Sequence, residues 1–497
     1  MGTAILVRPP RAASWSAIRS HRFGLGLTLA AALGTALRLP FAFTGIGMDE
    51  GGYAYVARQW SRGARLYSDR AWADRPQGLL LLYRVITDVG GTRLWPIRLA
   101  AVAFGVALVV TLGLLGRLLI SPTAGMLAAL MYAVLGVGPH FEGFTLNGEL
   151  AASLPAAAAV LAAACALRSR RRGLLLAAGI LGGAAITMKQ SGFDGLVAAA
   201  VLAAGAGGGI RAAGRRLATL ALGAALPLGA CALQGLQDGL SRWWWSVAGY
   251  RLAAPSGLGA TEAQRFLRLQ LALHVVRPDL GLAACAAAAG VVLGLRRRRT
   301  LGLLLAWLAA ALAGFNLGGL YWPHYFVQLL PPLVLLAALA AGALPALAGA
   351  VLAAVVVAPV AVTLAAWSTL PSALLDRTVA YDRRSDVDVR LAHVVDRDSR
   401  PGQPILALPA EADLYFVADR PAAFPYLWAN GVDEIPGARA RLRRLFAVAA
   451  TRPLLVAVYA HGREPLDPAR VVDGVLARDY RVVDRLPGVA LLERRLG

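Results

Sequence analysis

Apolar runs of about 18–22 residues, each long enough to cross a bilayer core, recur along the first three quarters of the chain. Short arginine-rich stretches separate them. By hydropathy and length, the runs predict about eleven crossings. They fall near residues 23–42, 95–116, 122–139, 149–167, 173–188, 193–209, 217–236, 278–295, 300–317, 325–342 and 345–367. The pattern predicts a polytopic α-helical membrane protein, because a soluble chain of this length would not carry so many uninterrupted apolar runs. The start, "MGTAILVRPPRAASWSAIRSHRFG", is basic, and the first run has no small-residue cleavage site. It is expected to be a retained span, not a cleaved signal.

Two stretches between runs are long, residues 43–94 and 237–277, and both are expected to be loops on one side of the membrane. The second contains Trp243, Trp244 and Trp245, which fit an anchoring belt at the membrane–water boundary. From residue 372 the pattern changes. Short apolar runs ("PILALP", "PLLVAVY", "VALLER") alternate with helix-like stretches ("GARARLRRLFAVAA", "DPARVVDGVLARDY"). This predicts a membrane domain over 1–371 and a small α/β domain over 372–497. The tail carries no nucleophile elbow, Walker loop or metal-ligand motif, and is expected to be an accessory or acceptor-binding domain.

Charge fixes the expected orientation. The formal net charge is +22, but from residue 372 onward acids and bases nearly balance. The excess lies between apolar runs: Arg8, Arg11, Arg19 and Arg22; Arg117; "RSRRR" at 168–172; Arg211, Arg215 and Arg216; "RRRR" at 296–299. That is the positive-inside pattern, and it argues against a nucleic-acid partner. It predicts a multi-pass protein of the plasma membrane, with a cytoplasmic amino terminus and an extracytoplasmic carboxyl-terminal domain. In this topology every acid before residue 372 falls at or beyond an outer membrane end, although acids contribute little to orientation. The outer face therefore carries both signs of charge. The three cysteines, Cys165, Cys231 and Cys285, lie in apolar runs without metal spacing and are expected to be small buried hydrophobes.

The candidate chemistry sits on that face. "GIGMDEGGYAYVARQW", residues 45–60, puts Asp49 and Glu50 just beyond the first run. Tyr53, Ala57 and Trp60 can share one helical face, and Arg58, Arg62 and Arg65 form a basic stripe. Such a segment can lie along the membrane surface. A carboxylate facing arginines is suited to act as a base near anionic groups. In "DRPQGLLLLY", Arg75-Pro76 precedes a short apolar run expected to be a helix dipping into the membrane, with Arg75 at headgroup level to pair with phosphate. Lys189, in "TMKQSGFD", is the only lysine in the chain. It sits at an outer end, where orientation does not call for a cation, and suits a lipid phosphate. Glu149, in "GFTLNGEL", is placed to orient a hydroxyl or a cation. His324, in "YWPHYFVQLLPP", is placed to donate to phosphate.

These pieces, in this order, resemble the GT-C superfamily of membrane glycosyltransferases, and within it the protein O-mannosyltransferase and aminoarabinose transferase branch (glycosyltransferase family 39-like). The matching features are "MDEGGYAYVARQW", then Gly63, Tyr67 and "DRPQG", Glu149 opening the fourth span, "MKQSG" closing the fifth, and the late "HYFVQLLPPL". They cover roughly residues 25–345. Two departures stand out. Arg75-Pro76-Gln77 replaces a Lys-Pro-Pro, and His324-Tyr325-Phe326 replaces an Arg-Tyr-Tyr. The resemblance implies a polyprenyl-phosphate monosaccharide donor used at the outer leaflet, with inversion at the anomeric carbon. Asp49 would take the proton of the acceptor hydroxyl. Arg75 and Lys189, then Arg58 and His324, would stabilise the leaving phosphate. Glu50 and Glu149 would orient the acceptor or support Asp49, with Tyr53 and Tyr325 beside them. The acceptor would be an envelope glycan, lipid or protein. No ligand spacing demands a metal; a divalent cation beside the carboxylates stays open. A transporter or flippase of lipid-linked saccharides would also need many spans and phosphate-binding cations, but predicts charges near the bilayer midplane. A non-catalytic envelope-assembly scaffold predicts that changing Asp49 alters nothing chemical.

Overall fold

A computed structural model describes residues 21–253, 260–371, 374–375, 378, 385–460 and 470–495. Arg8, Arg11 and Arg19, the expected domain boundary at 371/372, and the start of "DPARVVDGVLARDY" at 467–469 lie outside or at the edge of the described residues. The helices are α1 (His21–Arg38), α2 (Met48–Ser61), α3 (Gln77–Gly90), α4 (Trp95–Leu119) and α5 (Pro122–Leu135). There follow α6 (Gly148–Ser169), α7 (Arg172–Met188), α8 (Asp194–Gly205), α9 (Gly209–Asp238), α10 (Leu240–Trp244) and α11 (Tyr250–Ala253). The membrane part closes with α12 (Glu262–Leu293), α13 (Arg298–Leu317), α14 (Leu330–Ala343) and α15 (Ala346–Ser368).

Among the described residues, seven segments are long and apolar enough to cross a membrane by length and composition. One of them, Glu262–Leu317, is α12 and α13 joined by a 3-10 turn at Gly294–Arg297. The apolar helices α5, α7 and α8 are shorter, at 14, 17 and 12 residues. The chain is thus a multi-pass membrane protein. Every expected run meets an apolar helix, but these three fall short of the usual spanning length.

Two ends of the bundle differ in chemistry. Arg297 donates to the Ile120 carbonyl at 2.7 Å and Thr300 to that of Leu119 at 3.1 Å, so the arginine-rich turns after α4 and before α13 meet. The start of α4 is a helix of 25 residues away, about 37 Å at 1.5 Å per residue. There Arg98 pairs with Glu50 of α2. Inside the bundle, Asp194 accepts from Trp307 Nε1 at 2.7 Å and from Gln328 Nε2 at 3.0 Å. Arg38, fully buried, donates to the Gly34 and Ala133 carbonyls, closing the last turns of α1 and α5 where cations complement the helix dipole.

The expected loop at 237–277 is largely helical. α12 begins sixteen residues before the apolar run, at a capping box in which the Thr261 side chain accepts from Gln264 N and Gln264 accepts from Thr261 N. The polar residues of "EAQRFLRLQ" hide that start from a hydropathy scan but do not stop a helix. The tryptophan triplet also divides. Trp244 and Trp245 are exposed, whereas Trp243 turns inward and donates to Gln77 at 3.1 Å. In α3, capped by the extended Pro76, Leu81, Val85 and Val89 stay exposed on one face, fit to lie against lipid.

Asp279, one residue after Pro278 in α12, clips the loop before α6. It accepts from the His140 backbone N–H at 2.9 Å and faces His140 Nδ1 at 2.7 Å. The hydrogen bond to Asp279 raises the His140 pKa above its ordinary value. A raised histidine pKa contributes stability that is complete below the unfolded value and is lost as pH rises through the folded one. The thermal stability lost on His140→Gln is therefore expected to be largest near pH 6 and to shrink at higher pH, by melting of the purified protein in detergent. A difference that grows with pH would contradict the clip.

The carboxyl-terminal part carries a four-stranded sheet of order β1-β2-β4-β3. β1 (Ile405–Leu408) runs parallel to β2 (Leu455–Tyr459); β4 (Val489–Arg494) is antiparallel to both β2 and β3 (Tyr480–Leu486). Leu406, Leu408 and Val456 pack there against Leu442, Phe446 and Leu476. The runs "PILALP", "PLLVAVY" and "VALLER" coincide with β1, β2 and β4.

Candidate active site

α2 opens where the sequence puts its acids, and acids in a first turn favour helix entry. Glu50 accepts from the Gly47 N–H at 3.2 Å, closing the helix start. Arg98 pairs with the same oxygen at 3.1 Å, and the other oxygen accepts from Leu146 N at 2.8 Å. Burial pushes the Glu50 carboxyl up, against the pull of Arg98 and the two amides. Expected to share the chemistry, Glu50 has both oxygens occupied and is 1% exposed. It braces α2 against α4 and the turn before α6.

Asp49 is different: its side chain is 30% exposed and faces a cavity of about 510 Å³. Trp428 Nε1 donates to Oδ1 at 2.9 Å. Oδ2 lies 3.9 Å from His324 Nε2. The imidazole is surrounded by carboxylates, with Glu142 3.6 Å from Nδ1 and Glu149 3.8 Å from Nε2. These separations exceed a hydrogen bond, so the attraction is electrostatic and follows the charge on the ring.

Another wall of the cavity is cationic. Arg75, which the Tyr67 hydroxyl anchors by donating to its carbonyl at 3.1 Å, pairs with Asp74 at 2.6 Å. Arg251 pairs with the same carboxylate, and Tyr250 donates to it at 2.6 Å. A π-helical turn, Trp245–Gly249, precedes this Tyr250-Arg251 pair. Burial opposes ionisation of Asp74, but Arg75 and Arg251 outweigh it and hold the carboxyl well below the ordinary range. Two guanidiniums against one carboxylate leave a surplus positive charge at the wall. Arg75 Nε has no hydrogen-bond partner among the described residues. Tyr53 lies under the Arg75 guanidinium, 5.6 Å from ring centre.

Lys189 and Glu149 form a buried ion pair just behind the wall, with Lys189 Nζ 3.9 Å above the Tyr325 ring. Arg58 is not brought to the cavity. It pairs with Asp419 at 3.2 Å, as Arg62 does at 2.8 Å, because the basic stripe of α2 faces the carboxyl-terminal part. Asp49, Tyr53, Arg75, His324 and Tyr325 therefore line one cavity, Lys189 and Glu149 support it, Glu50 braces it, and Arg58 docks the tail. Sequence reasoning missed Arg251, Glu142, Arg98 and Trp428. Arg251 had the signal that exposed Lys189, a cation away from the arginine-rich clusters between apolar runs. Trp428 had none, standing 379 residues from its partner. Asp388, Glu411 and Asp413 also bring carboxylate oxygens within 4.8 Å of one another, away from the cavity, a grouping no spacing announces.

The Gly51-Gly52 pair lets α2 approach the tail. A Cβ on Gly51 would stand 2.2 Å from Asp413 Cβ, and one on Gly52 2.3 Å from Trp428 Cζ2. Gly51→Ala and Gly52→Ala are each expected to cost about 1–3 kcal/mol through overpacking, read as a lower Tm in detergent. Unchanged melting would show that the two parts are not packed as described.

Residues 74–233 match the model of the dolichyl-phosphate-mannose-protein mannosyltransferase family. The whole fold is similar to that of ArnT from Cupriavidus metallidurans, solved bound to undecaprenyl phosphate, with a TM-score of 0.63 at 16% identity, covering 97% of this chain and 98% of that one. The chain has an ArnT-like fold. The apo form of ArnT gives a TM-score of 0.64 at 16% identity, covering 97% of this chain and 98% of that one. The oligosaccharyltransferase AglB from Archaeoglobus fulgidus, solved with an inhibitory peptide and a dolichol-phosphate, gives 0.55 at 13% identity, covering 89% of this chain and 70% of that one. No curated protein sequence matches this chain. In this ArnT-like chain the family model spans α3 to α9 and so includes Arg75 and Lys189, while Asp49 and His324 lie outside it.

Proposed function

We propose that the chain transfers a monosaccharide from a polyprenyl-phosphate carrier to a hydroxyl of an envelope glycan, lipid or protein, on the outer face of the plasma membrane and with inversion. The observation that carries this is one cavity holding an open carboxylate, Asp49, together with a guanidinium pair, Arg75 and Arg251. The acceptor hydroxyl gives its proton to Asp49 as its oxygen attacks the anomeric carbon. The bond from that carbon to the phosphate oxygen breaks on the opposite face. The polyprenyl phosphate leaves with the electron pair, and Arg75 and Arg251 stabilise its charge, with Lys189 behind them. His324, Tyr325 and Tyr53 shape the space between, and Glu149 holds Lys189 in place. The polyprenyl phosphate is already a good leaving group, so no general acid is required. The undecaprenyl phosphate bound to ArnT and the dolichol-phosphate bound to AglB support the lipid class of the donor. The separation of arginine-rich turns from the cavity end supports a cytoplasmic amino terminus.

The test is release and transfer of labelled sugar by the purified protein, from polyprenyl-phosphate mannose, glucose, galactose and arabinose, with crude envelope glycans as acceptors. Transfer from one donor is the expected result and names the sugar. Vesicle counterflow of the lipid-linked sugar without transfer, across the panel, would identify a transporter instead.

A further inference from the structure

The carboxyl-terminal part contributes directly to the cavity. Trp428, Ala429 and Gly431 line it, facing Asp49. Three independent attachments bring them there. The Tyr55 hydroxyl accepts from Ala422 N at 2.8 Å, Arg58 and Arg62 hold Asp419, and Arg441 pairs with Asp69, at 3.0 Å for one of its two contacts. At the centre the Trp428 indole fills the space that Gly52 leaves open and packs on Tyr53, ring centres 5.6 Å apart. Its N–H then meets Asp49 Oδ1 at 2.9 Å.

We infer that Trp428 is a positioning residue for the transfer: its indole N–H fixes one oxygen of Asp49 and leaves the other, Oδ2, turned to the cavity and His324. A short carboxylate at the first turn of a helix rotates freely about its side-chain bonds unless something holds it. One directional donor on Oδ1 selects the rotamer in which Oδ2 can receive a proton. The indole is itself locked between Gly52 and Tyr53, so the aim is set by packing and not by a mobile side chain. The carboxyl-terminal part is therefore a component of the reaction centre. This inference rests on Asp49 being the base.

The test compares wild type, Trp428→Phe and Asp49→Asn as purified full-length chains, using the labelled polyprenyl-phosphate sugar that wild type transfers, with undecaprenyl phosphate as the binding probe. Trp428→Phe keeps an aromatic face and removes the N–H. The expected result is a kcat lower by about 10–100-fold, with the donor KM and undecaprenyl phosphate affinity unchanged, because a small misplacement of a reacting group costs rate and not ground-state binding. Wild-type kcat in Trp428→Phe, while Asp49→Asn is inactive, would overturn the positioning role and leave the base in place. An active Asp49→Asn would remove the base, and this inference with it. Parallel loss of kcat and undecaprenyl phosphate binding would reduce Trp428 to packing, and so overturn the inference. If Trp428→Phe does not fold, 3-benzothienylalanine at position 428 keeps the bicycle and replaces only the N–H, and the same kcat loss is expected.

Discussion

Asp49→Asn is expected to lower sugar transfer by about 10²–10⁴-fold while leaving donor affinity unchanged. The amide has the size of the carboxylate and keeps an oxygen for the Trp428 N–H, which now reaches Asp49 Oδ1 at 2.9 Å. What it loses is the ability to accept a proton. Glu50 cannot replace it, since its oxygens are taken by Gly47, Leu146 and Arg98. Glu149 is engaged by Lys189 behind the wall. Initial rates of transfer, set beside equilibrium binding of undecaprenyl phosphate, check the prediction. Transfer within a few-fold of wild type would mean that the acceptor is deprotonated by another group.

Arg98→Leu is expected to destabilise the fold by about 3–5 kcal/mol, the usual cost of stranding one member of a buried ion pair. Arg98 and Glu50 are 3% and 1% exposed, and water does not replace a lost partner at such depth. Burial already pushes the Glu50 carboxyl up, and without the guanidinium it moves higher. A carboxyl whose folded pKa lies above its unfolded value favours the fold while protonated. That contribution is complete below the unfolded pKa and is lost as pH rises through the folded one. The melting deficit of Arg98→Leu should therefore widen from acid to neutral pH. Arg98→Leu combined with Glu50→Leu should recover most of it, because no buried charge is then left unpaired. A pH-independent deficit in the single variant would show that lost packing, not stranded charge, dominates.

What the sequence disclosed follows from the cost of charge beside lipid. Asp49, Arg75, Lys189 and His324 stand at the ends of apolar runs, where a polar group needs a reason, and they were found for that. The helices were visible for the same reason: residues 323–343 and 346–368 read as apolar from end to end. Roles set by distant partners were hidden. Glu50 looks like the twin of Asp49 until Leu146, 96 residues on, donates to it. Arg58 lies on a stripe that could face phosphate or protein, and only the position of Asp419 decides between them. Among the strands, β3 was missed because it is an edge strand with a single buried residue, "YRVVDRL", and so lacks the apolar run that marked the other three.

The reach of Trp428 to Asp49 also orders events in the life of the molecule. The ribosome makes α2 well before position 428, with the helices between them inserted in the interval. Throughout synthesis the nascent chain therefore holds its carboxylate without the wall that completes the cavity. A chain cut short before position 428 would carry the helices of the bundle with the cavity left open on the side of Asp49. The cavity is complete only when a segment made after every helix of the bundle folds back onto α2.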